Sequence, residues 1–169
     1  MDLVYAPAEI LKESTPPVNV NDSDLRLTFL QAKMMLRIME QYNGVGLSAS
    51  QVSIRKSFFI MGDANKAWVI INPRILEYSD DKVLLTEGCL SYPGLFLNVL
   101  RPETVTVEYA NDKGKRITGK LEGIISRVFQ HEHDHTQGIT YDTLVSKLKL
   151  SMARKKLLKR AEPVNVSWP

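Results

Sequence analysis

The sequence contains one cysteine and three histidines, and it lacks any long run of apolar residues. A single cysteine cannot form an internal disulfide, which indicates a reducing compartment. No apolar segment is long enough for a membrane-spanning helix. The amino terminus has no basic start followed by an apolar stretch, so no secretory signal is visible. From these absences we expect a soluble protein of the cytoplasm.

The chain also lacks repeats, linkers and low-complexity segments. Its 169 residues, 44% of them hydrophobic, predict a single domain over residues 1–169 with a sizeable core. The net charge of +3 is unevenly distributed. Seven of the 22 basic residues lie between Thr143 and Arg160, where no acidic residue occurs, and the other 15 accompany 19 acidic residues. A mildly acidic body therefore precedes a strongly basic tail.

All three histidines lie within five residues, in a segment that contains the pattern HExxH. In a helix, His131 and His135 project from one face and can bind one metal ion, whereas His133 points away. Glu132 and Asp134 flank that face, so one can touch a metal-bound water while the other supports a ligand. The alternative is a surface helix that is polar by chance.

The neighbouring residues indicate that this segment is helical. Ile124 and Val128 continue the histidine face toward the amino terminus at helical spacing, and Gly138 supplies a stop signal. We predict a helix from Glu122 to Gln137, in which the ligand stripe extends an apolar stripe that faces the core.

Two histidines do not hold a catalytic ion, because a third ligand and an open position for water are also needed. Cys89, in the segment EGCLS, is the candidate for the third ligand. It follows a predicted strand, and Gly88 beside it permits close approach of the backbone. The alternative is a small buried thiol without a ligand role.

Three segments, GVGLSASQ from Gly44 to Gln51, EGCLS and QHEHDH, occur in this order along the chain. Together they resemble the peptide deformylase family, whose pattern is GxGLxxxQ, then EGCLS, then QHExDH. The resemblance extends from the opening LVYAPAEILK to about Tyr141. Ser48, Ser50 and Thr136 depart from the alanine, proline and leucine usual in the family. None of the three is a ligand or the base, so we expect them to affect packing rather than chemistry.

The resemblance implies an enzyme that removes the N-formyl group from formyl-methionine at the start of nascent peptides and releases formate. His131, His135 and Cys89 would bind a divalent ion with water in its fourth position, and Glu132 would accept the proton of that water. The family implies Fe(II) as the native metal. The ligand set alone fits zinc, cobalt or nickel equally well.

The resemblance further implies that Gln51 and the backbone N–H of Leu90 stabilise the oxyanion formed during attack. A glutamine that merely holds a turn is the alternative for Gln51. We expect an apolar pocket for the methionine side chain and backbone that pairs with the peptide as an added strand. The candidates for this substrate site adjoin the motifs and are Gly44, Val45, Gly46, Gly94, Ile124 and Val128.

The remaining pattern predicts an α+β fold, with a mainly antiparallel sheet packed around the metal-binding helix, an N-terminal helix and a basic C-terminal helix. The N-terminal helix follows a cap at Asp22 or Ser23 and has apolar residues at helical spacing. These are Leu25, Phe29, Ala32, Leu36 and Met39, and we assign Met34 and Met35 to the core as well. Strands are predicted at 57–61, 67–71, 82–86, 104–109 and 116–121. A turn is expected at 62–66, a break at 72–73 and an apolar loop at 92–97, and the last two strands form a hairpin across 111–114.

Two charged features have open interpretations. Arg101 and Glu87 either form a pair that holds the cysteine segment in place or are solvated separately. The segment from Thr143 to Arg160 is predicted as an amphipathic helix whose apolar stripe, Leu144, Leu148, Met152 and Leu158, packs on the body. The basic residues of this helix indicate an anionic partner. Because the family acts on nascent chains, ribosomal RNA is the candidate partner. The alternative is a helix face that is exposed to solvent and binds no partner. We expect a monomer.

Two other functions compete with deformylation. An HExxH metallopeptidase takes its third ligand downstream as histidine or glutamate, but no histidine follows His135. The second alternative is a catalytically inactive domain that keeps the fold and binds metal or the ribosome but does not hydrolyse formylated peptides. Against it, all three ligands, Glu132 and Gln51 are present.

Overall fold

A computed structural model describes residues 1–20, 23–62 and 66–161. These ranges contain three α-helices and seven β-strands. Their bounds in chain order are α1 Ser23–Gln41, β1 Gly46–Ser48, β2 Phe58–Gly62, β3 Ala67–Tyr78, β4 Lys82–Cys89, β5 Tyr92–Pro102, β6 Thr104–Ala110, β7 Arg116–Glu122, α2 Gly123–Thr136 and α3 Lys147–Ala161. Within the described part of the chain, no helix has the length and apolar character needed to cross a membrane.

The strands form two antiparallel sheets, which confirms the predicted α+β architecture. The larger sheet has five strands in the order β1-β2-β3-β6-β7, and β4 and β5 form a separate two-stranded sheet. Helix α2 contacts β1, β2, β6 and β7 of the larger sheet. The ring of Phe129 from α2 meets Phe59 of β2 edge to face at 5.2 Å between centroids. Helix α2 is therefore central, as predicted.

Helix α1 packs on the larger sheet through a face slightly rotated from the predicted one. Ala32, Met35 and Met39 are buried as expected, and Thr28 joins them. Met34 is 50% exposed, so its assignment to the core is wrong. The predicted positions Leu25, Phe29 and Leu36 are only partly buried, because the sheet meets the line through residues 28, 32, 35 and 39. The proposed cap Asp22 lies outside the described residues.

The hairpin of β6 and β7 is confirmed. The two strands pair from Thr104 with Glu122 to Ala110 with Arg116. In the turn, the side-chain oxygen of Asn111 accepts the backbone N–H groups of Lys113 and Lys115, which fixes the turn locally. The residues of the other predicted turn that are numbered 63–65 lie outside the described ranges.

The predicted break at Asn72 and Pro73 is wrong, since β3 continues through both residues. The pairing of β3 with β6 shifts register there, and Asn72 has φ +50°. Asn72 Oδ1 accepts the backbone N–H of Val18 at 2.8 Å, and Asn72 Nδ2 donates to the Val18 carbonyl at 2.8 Å. The turn-forming residues therefore produce a bulge within a strand rather than its end.

The segment predicted as an apolar loop, 92–97, is instead the first half of β5. Leu95, Leu97 and Val99 are buried in alternation with exposed residues, which is the pattern of a strand with one face on the core. Pro93 and Gly94 fit at the beginning of this strand, and Gly94 has φ +74°, which its lack of a side chain permits.

Helix α2 lies within the predicted bounds and ends two residues before Gly138. Gly138 has φ +72°, and a Cβ atom there would approach the backbone oxygen of Lys12 to 2.4 Å. The prediction that Ile124 faces the core is wrong, because it is 67% exposed. The first turn of α2 lies beyond the core, and burial begins at Ser126.

Helix α3 begins at Lys147, after a 3-10 helix at Tyr141–Leu144, rather than at Thr143. It packs on β5 through Leu150, Ala153 and Leu157. The predicted packing stripe of Leu144, Leu148, Met152 and Leu158 is exposed by 45–71%, so that prediction is wrong. Both stripes have helical spacing, and the position of β5 determines which one is covered.

Candidate active site

Cys89, His131 and His135 come together at the centre of the molecule. Cys89 lies at the end of β4, and both histidines project from α2. One ligand-type atom from each of the three lies within 4.8 Å of the other two. Cys89 Sγ is 3.4 Å from His135 Nε2. One sulfur and two ring nitrogens in this arrangement can hold a divalent transition-metal ion.

The two histidines are held in different ways. His131 Nδ1 lies 2.8 Å from Glu87 Oε2, and a carboxylate can only accept there, so Nδ1 carries a hydrogen and Nε2 is directed away from Glu87. Burial disfavours the protonated ring of His131 and by itself would lower its pKa. Hydrogen bonds with Cys89 and Glu87 outweigh this effect and raise the pKa of His131 to about 10. Burial lowers the pKa of His135 well below its usual value. A metal ion would therefore meet a neutral His135 and displace a proton from His131.

Glu132 lies beside the three ligand residues and is 4% exposed. Its Oε2 atom is buried without a hydrogen-bond partner among the described residues. A Cβ atom on Gly46 would come within 2.5 Å of Glu132 Oε1, so the carboxylate occupies the space that this glycine leaves. Burial, with the charges of Glu87 and Asp134, raises the pKa of Glu132 to about 7. Such a carboxylate can accept and return a proton near neutral pH.

A buried network of ion pairs holds His131 and the strand that carries Cys89 in position. Arg101 contacts Glu87 through Nε at 2.7 Å and Nη2 at 3.1 Å, which confirms the predicted pair. Arg101 also reaches Asp134 at 2.6 Å, and Arg127 Nη1 reaches Glu87 at 2.9 Å. Burial alone would raise the pKa of Glu87, but bonds from His131 and Arg101 hold it well below its usual range. The network links the two-stranded sheet, which carries Glu87 and Arg101, to α2, which carries Arg127 and Asp134.

Gln51 reaches the site from the 3-10 helix that follows β1. Its Nε2 donates to Cys89 Sγ at 3.3 Å and to Ser91 Oγ at 3.1 Å. Its Oε1 accepts the backbone N–H of Ser48 at 2.8 Å, which fixes the orientation of the amide with Nε2 toward the cysteine. Gln51 thus holds its own turn and also directs a donor into the site.

Cys89 and His131, two of the three candidate ligands, line a cavity of about 480 Å³. Its wall includes every substrate-site candidate from the sequence, which are Gly44, Val45, Gly46, Gly94, Ile124 and Val128. Leu90, Gln51 and Glu132 also line it. Val45 and Ile124 are 58% and 67% exposed, so they form the mouth of the cavity rather than its floor. Gly44 and Gly46 serve internal packing, because Leu90 and Glu132 fill the space beside them.

Sequence reasoning missed three residues that support the site. Arg127 is four residues before His131, so its place on the ligand face follows from helical spacing. Ser91, which accepts from Gln51, belongs to the EGCLS segment. Tyr141 packs its ring 5.5 Å from that of His131 and donates to the Leu95 carbonyl at 2.8 Å. No local signal marks this tyrosine, because these two contacts join it to residues ten and 46 positions earlier in the chain.

Comparison with known proteins agrees with this geometry. The sequence profile of the family described as polypeptide deformylase matches residues 1–151. The chain belongs to the peptide deformylase family. It is 38% identical to the peptide deformylase of Thermotoga maritima over 155 residues, which cover 92% of this chain and 93% of that protein. It is 33% identical to the Rhizobium meliloti peptide deformylase over 165 residues, with coverages of 95% and 93%.

Solved structures show the same fold. The crystal structure of the Thermotoga maritima peptide deformylase superposes with a TM-score of 0.80 at 35% identity, covering 86% of this chain and 97% of that one. The peptide deformylase of Synechococcus elongatus in complex with actinonin gives 0.83 at 34% identity, with coverages of 97% and 91%. The chain is accordingly a metal-dependent hydrolase that removes the formyl group from formylated nascent peptides, and the competing functions are not favoured.

Proposed function

We propose that Cys89, His131 and His135 hold the metal ion of this deformylase and that Glu132 is its base. The observation that carries the proposal is the meeting of three ligand-type atoms within 4.8 Å beside Glu132, whose buried Oε2 has no hydrogen-bond partner among the described residues. The donor set suits the group, since His135 is neutral and His131 is oriented by Glu87 through its other nitrogen. A divalent ion in this position supplies Lewis acidity toward the formyl oxygen and the attacking water.

Glu132, Gln51 and Leu90 carry out the proton transfer and the stabilisation of charge. Glu132 takes a proton from the water as its oxygen bonds to the formyl carbon, and the proton passes to the methionine nitrogen as the C–N bond breaks. Formate and a free amino terminus are the products. The Gln51 Nε2 and the backbone N–H of Leu90 stabilise the negative charge that develops on the formyl oxygen. The bond from the Ser48 N–H to Gln51 Oε1 already holds the amide with Nε2 toward Cys89, so the donor is at the site before the substrate binds.

The cavity accommodates the methionine side chain against Val45, Ile124 and Val128. Strand β1 is at an edge of the larger sheet, paired only with β2 among the described strands. An extended peptide can therefore pair with the backbone near Gly46 on one side of the cavity and near Gly94 on the other.

The experiment that tests this proposal measures formate release from formyl-Met-Ala-Ser. Protein purified anaerobically with Fe(II), or reconstituted with Ni(II), is compared with a Glu132→Ala variant of matched metal content. We expect turnover by the wild type in both metal forms and almost none by the variant. Metal-loaded wild type without turnover would contradict the proposal, and cleavage of casein would support a metallopeptidase instead.

We propose Fe(II) as the native metal, with zinc, nickel and cobalt as ions that the same ligands accept. A single thiolate ligand, Cys89, leaves an iron site open to oxidation. We therefore expect activity to decline faster in air for the Fe(II) form than for the Ni(II) form, measured as residual formate release over time. Equal aerobic lifetimes would contradict this assignment.

We also propose that the exposed face of α3 contacts an anionic partner, ribosomal RNA, in the cytoplasm. The support is the charge of the helix, because Lys147, Lys149, Lys155, Lys156 and Lys159 are all exposed. One cation on the helix, Arg154, is paired with Asp142 at 3.3 Å. The enzyme is proposed to act as a monomer.

A further inference from the structure

The outer face of the two-stranded sheet carries three large apolar side chains in solvent. Phe96 is 60% exposed, Leu100 is 58% exposed and Leu84 is 53% exposed. The alternate residues of β5 point inward and are buried in the core. We call Leu84, Phe96 and Leu100 the apolar face.

The register of the strands shows that these side chains share one surface. Leu84 pairs with Leu100, and Thr86 pairs with Asn98, joined by a hydrogen bond from Thr86 Oγ1 to Asn98 Oδ1 at 2.7 Å. Because side chains two residues apart point to the same side of a strand, Phe96 continues this surface. At about 3.3 Å per residue, the apolar face spans roughly 13 Å from Phe96 to Leu100.

The apolar face is continuous with the catalytic cavity. Thr86, Gly88 and Phe96 are part of the cavity wall. The Phe96 ring lies over Gly88, where an added Cβ atom would come within 2.8 Å of it. From Phe96 and Thr86 in the cavity wall, the surface of the two strands therefore continues across Asn98 to Leu84 and Leu100. Both cross-strand pairs along this path, Leu84 with Leu100 and Thr86 with Asn98, are uncharged.

We infer that the apolar face binds apolar residues of the nascent peptide that follow its first three residues. The inference rests on the proposed function, which places the formyl-methionine inside the cavity and leaves the rest of the peptide to emerge at its mouth. About four extended residues cover the distance from Phe96 to Leu100. A second copy of the chain fits less well, since three side chains offer too little surface for a stable interface of more than about 1,000 Å².

The test compares kcat/KM of the metal-loaded enzyme for three formylated peptides. Formyl-Met-Ala-Ser ends before the apolar face, formyl-Met-Ala-Ser-Leu-Phe-Leu-Lys reaches it with apolar residues, and formyl-Met-Ala-Ser-Ser-Gln-Ser-Lys reaches it with polar ones. We expect kcat/KM for the apolar heptapeptide to exceed that for the polar one by about tenfold, mainly through KM, because apolar surface is shielded on binding.

The double variant Leu84→Ser/Leu100→Ser should lose this difference and hydrolyse the tripeptide as fast as the wild type. A matched control, Leu148→Ser/Met152→Ser on α3, changes two side chains that are 71% and 63% exposed and should keep the difference. Thermal unfolding of both variants checks that the fold is intact, as expected for substitutions of exposed side chains.

Equal kcat/KM for the two heptapeptides in the wild type would overturn the inference. So would a difference that persists in the Leu84→Ser/Leu100→Ser variant. Self-association that depends on protein concentration and disappears in that variant would assign the apolar face to a second copy instead. Failure to hydrolyse the tripeptide would contradict the proposed function itself, so the two failures are distinguishable.

Discussion

Helices α2 and α3 have nearly equal lengths, 14 and 15 residues, and both are rich in polar side chains, but they place them differently. Helix α2 buries its polar groups, including Arg127, His131, Glu132 and His135. Helix α3 exposes its lysines and packs on β5 through three apolar residues. Buried polar groups require partners. In α2 the partners of Arg127 and His131 include Glu87 and backbone carbonyls, whereas Glu132 Oε2 has no partner among the described residues and lies beside the candidate metal ligands.

The comparison predicts that substitutions in and around α2 affect catalysis far more than substitutions on α3. The largest effect is expected for Glu132→Gln, which keeps the shape of the side chain but removes the base. We expect kcat/KM for formyl-Met-Ala-Ser to fall by about 10²- to 10⁴-fold while the metal content stays unchanged. Retention of more than about a tenth of the wild-type activity would assign the proton transfer to another group.

A smaller effect is expected for Gln51→Glu, which replaces an oriented N–H donor with a carboxylate oxygen. We expect kcat to fall by about 10²- to 10³-fold because the developing oxyanion loses a donor. The exposed Gln41→Glu at the end of α1 is a matched control with no expected effect. If steady-state kinetics showed the same kcat for both variants, Gln51 would only hold its turn.

Glu87→Gln tests the network behind the ligand residues rather than the reaction itself. Glu87 accepts from His131, Arg101 and Arg127, and the neutral amide weakens all three contacts. We expect metal affinity to fall by about 10- to 100-fold, measured by competition with a chelator. The exposed Glu77→Gln on β3 serves as the control. Unchanged affinity would reduce the network to a purely structural role.

The smallest effect on catalysis is expected from α3. The substitution Lys155→Glu/Lys156→Glu should leave tripeptide hydrolysis within about twofold of the wild type, because both side chains are exposed and away from the cavity wall. Ribosome binding should weaken and lose part of its salt dependence. Lys33→Glu/Arg37→Glu on α1 makes the same charge change and should not weaken binding. Equal weakening by both variants would indicate a general charge effect.

These charge variants are preferable to deletion of the helix. Leu150, Ala153 and Leu157 cover the cluster that contains Leu95 and Leu97, so removal of α3 would expose part of the core. Leu157 also lies against Gly94, where an added Cβ atom would come within 2.8 Å of it. A deletion would therefore disturb the cavity wall together with the cationic surface.

The sequence alone determined the features that depend on local geometry. The spacing of His131 and His135 places both on one helix face, Gly138 follows the end of that helix, and Asn111 to Gly114 form a hairpin turn. Each of these follows from backbone geometry over a few residues, and no distant partner is needed. The three motifs likewise identified the family, since their residues and order are read directly.

Only the tertiary structure decided which of two equivalent patterns is buried. The stripe through Leu148 and Met152 and the stripe through Leu150 and Leu157 both have helical spacing, and the position of β5 selects the second. In the same way, 40 residues separate Glu87 from Arg127 and also Gln51 from Ser91. No periodicity connects residues that far apart, because their contact is fixed by the packing of α2 and the two sheets around one core.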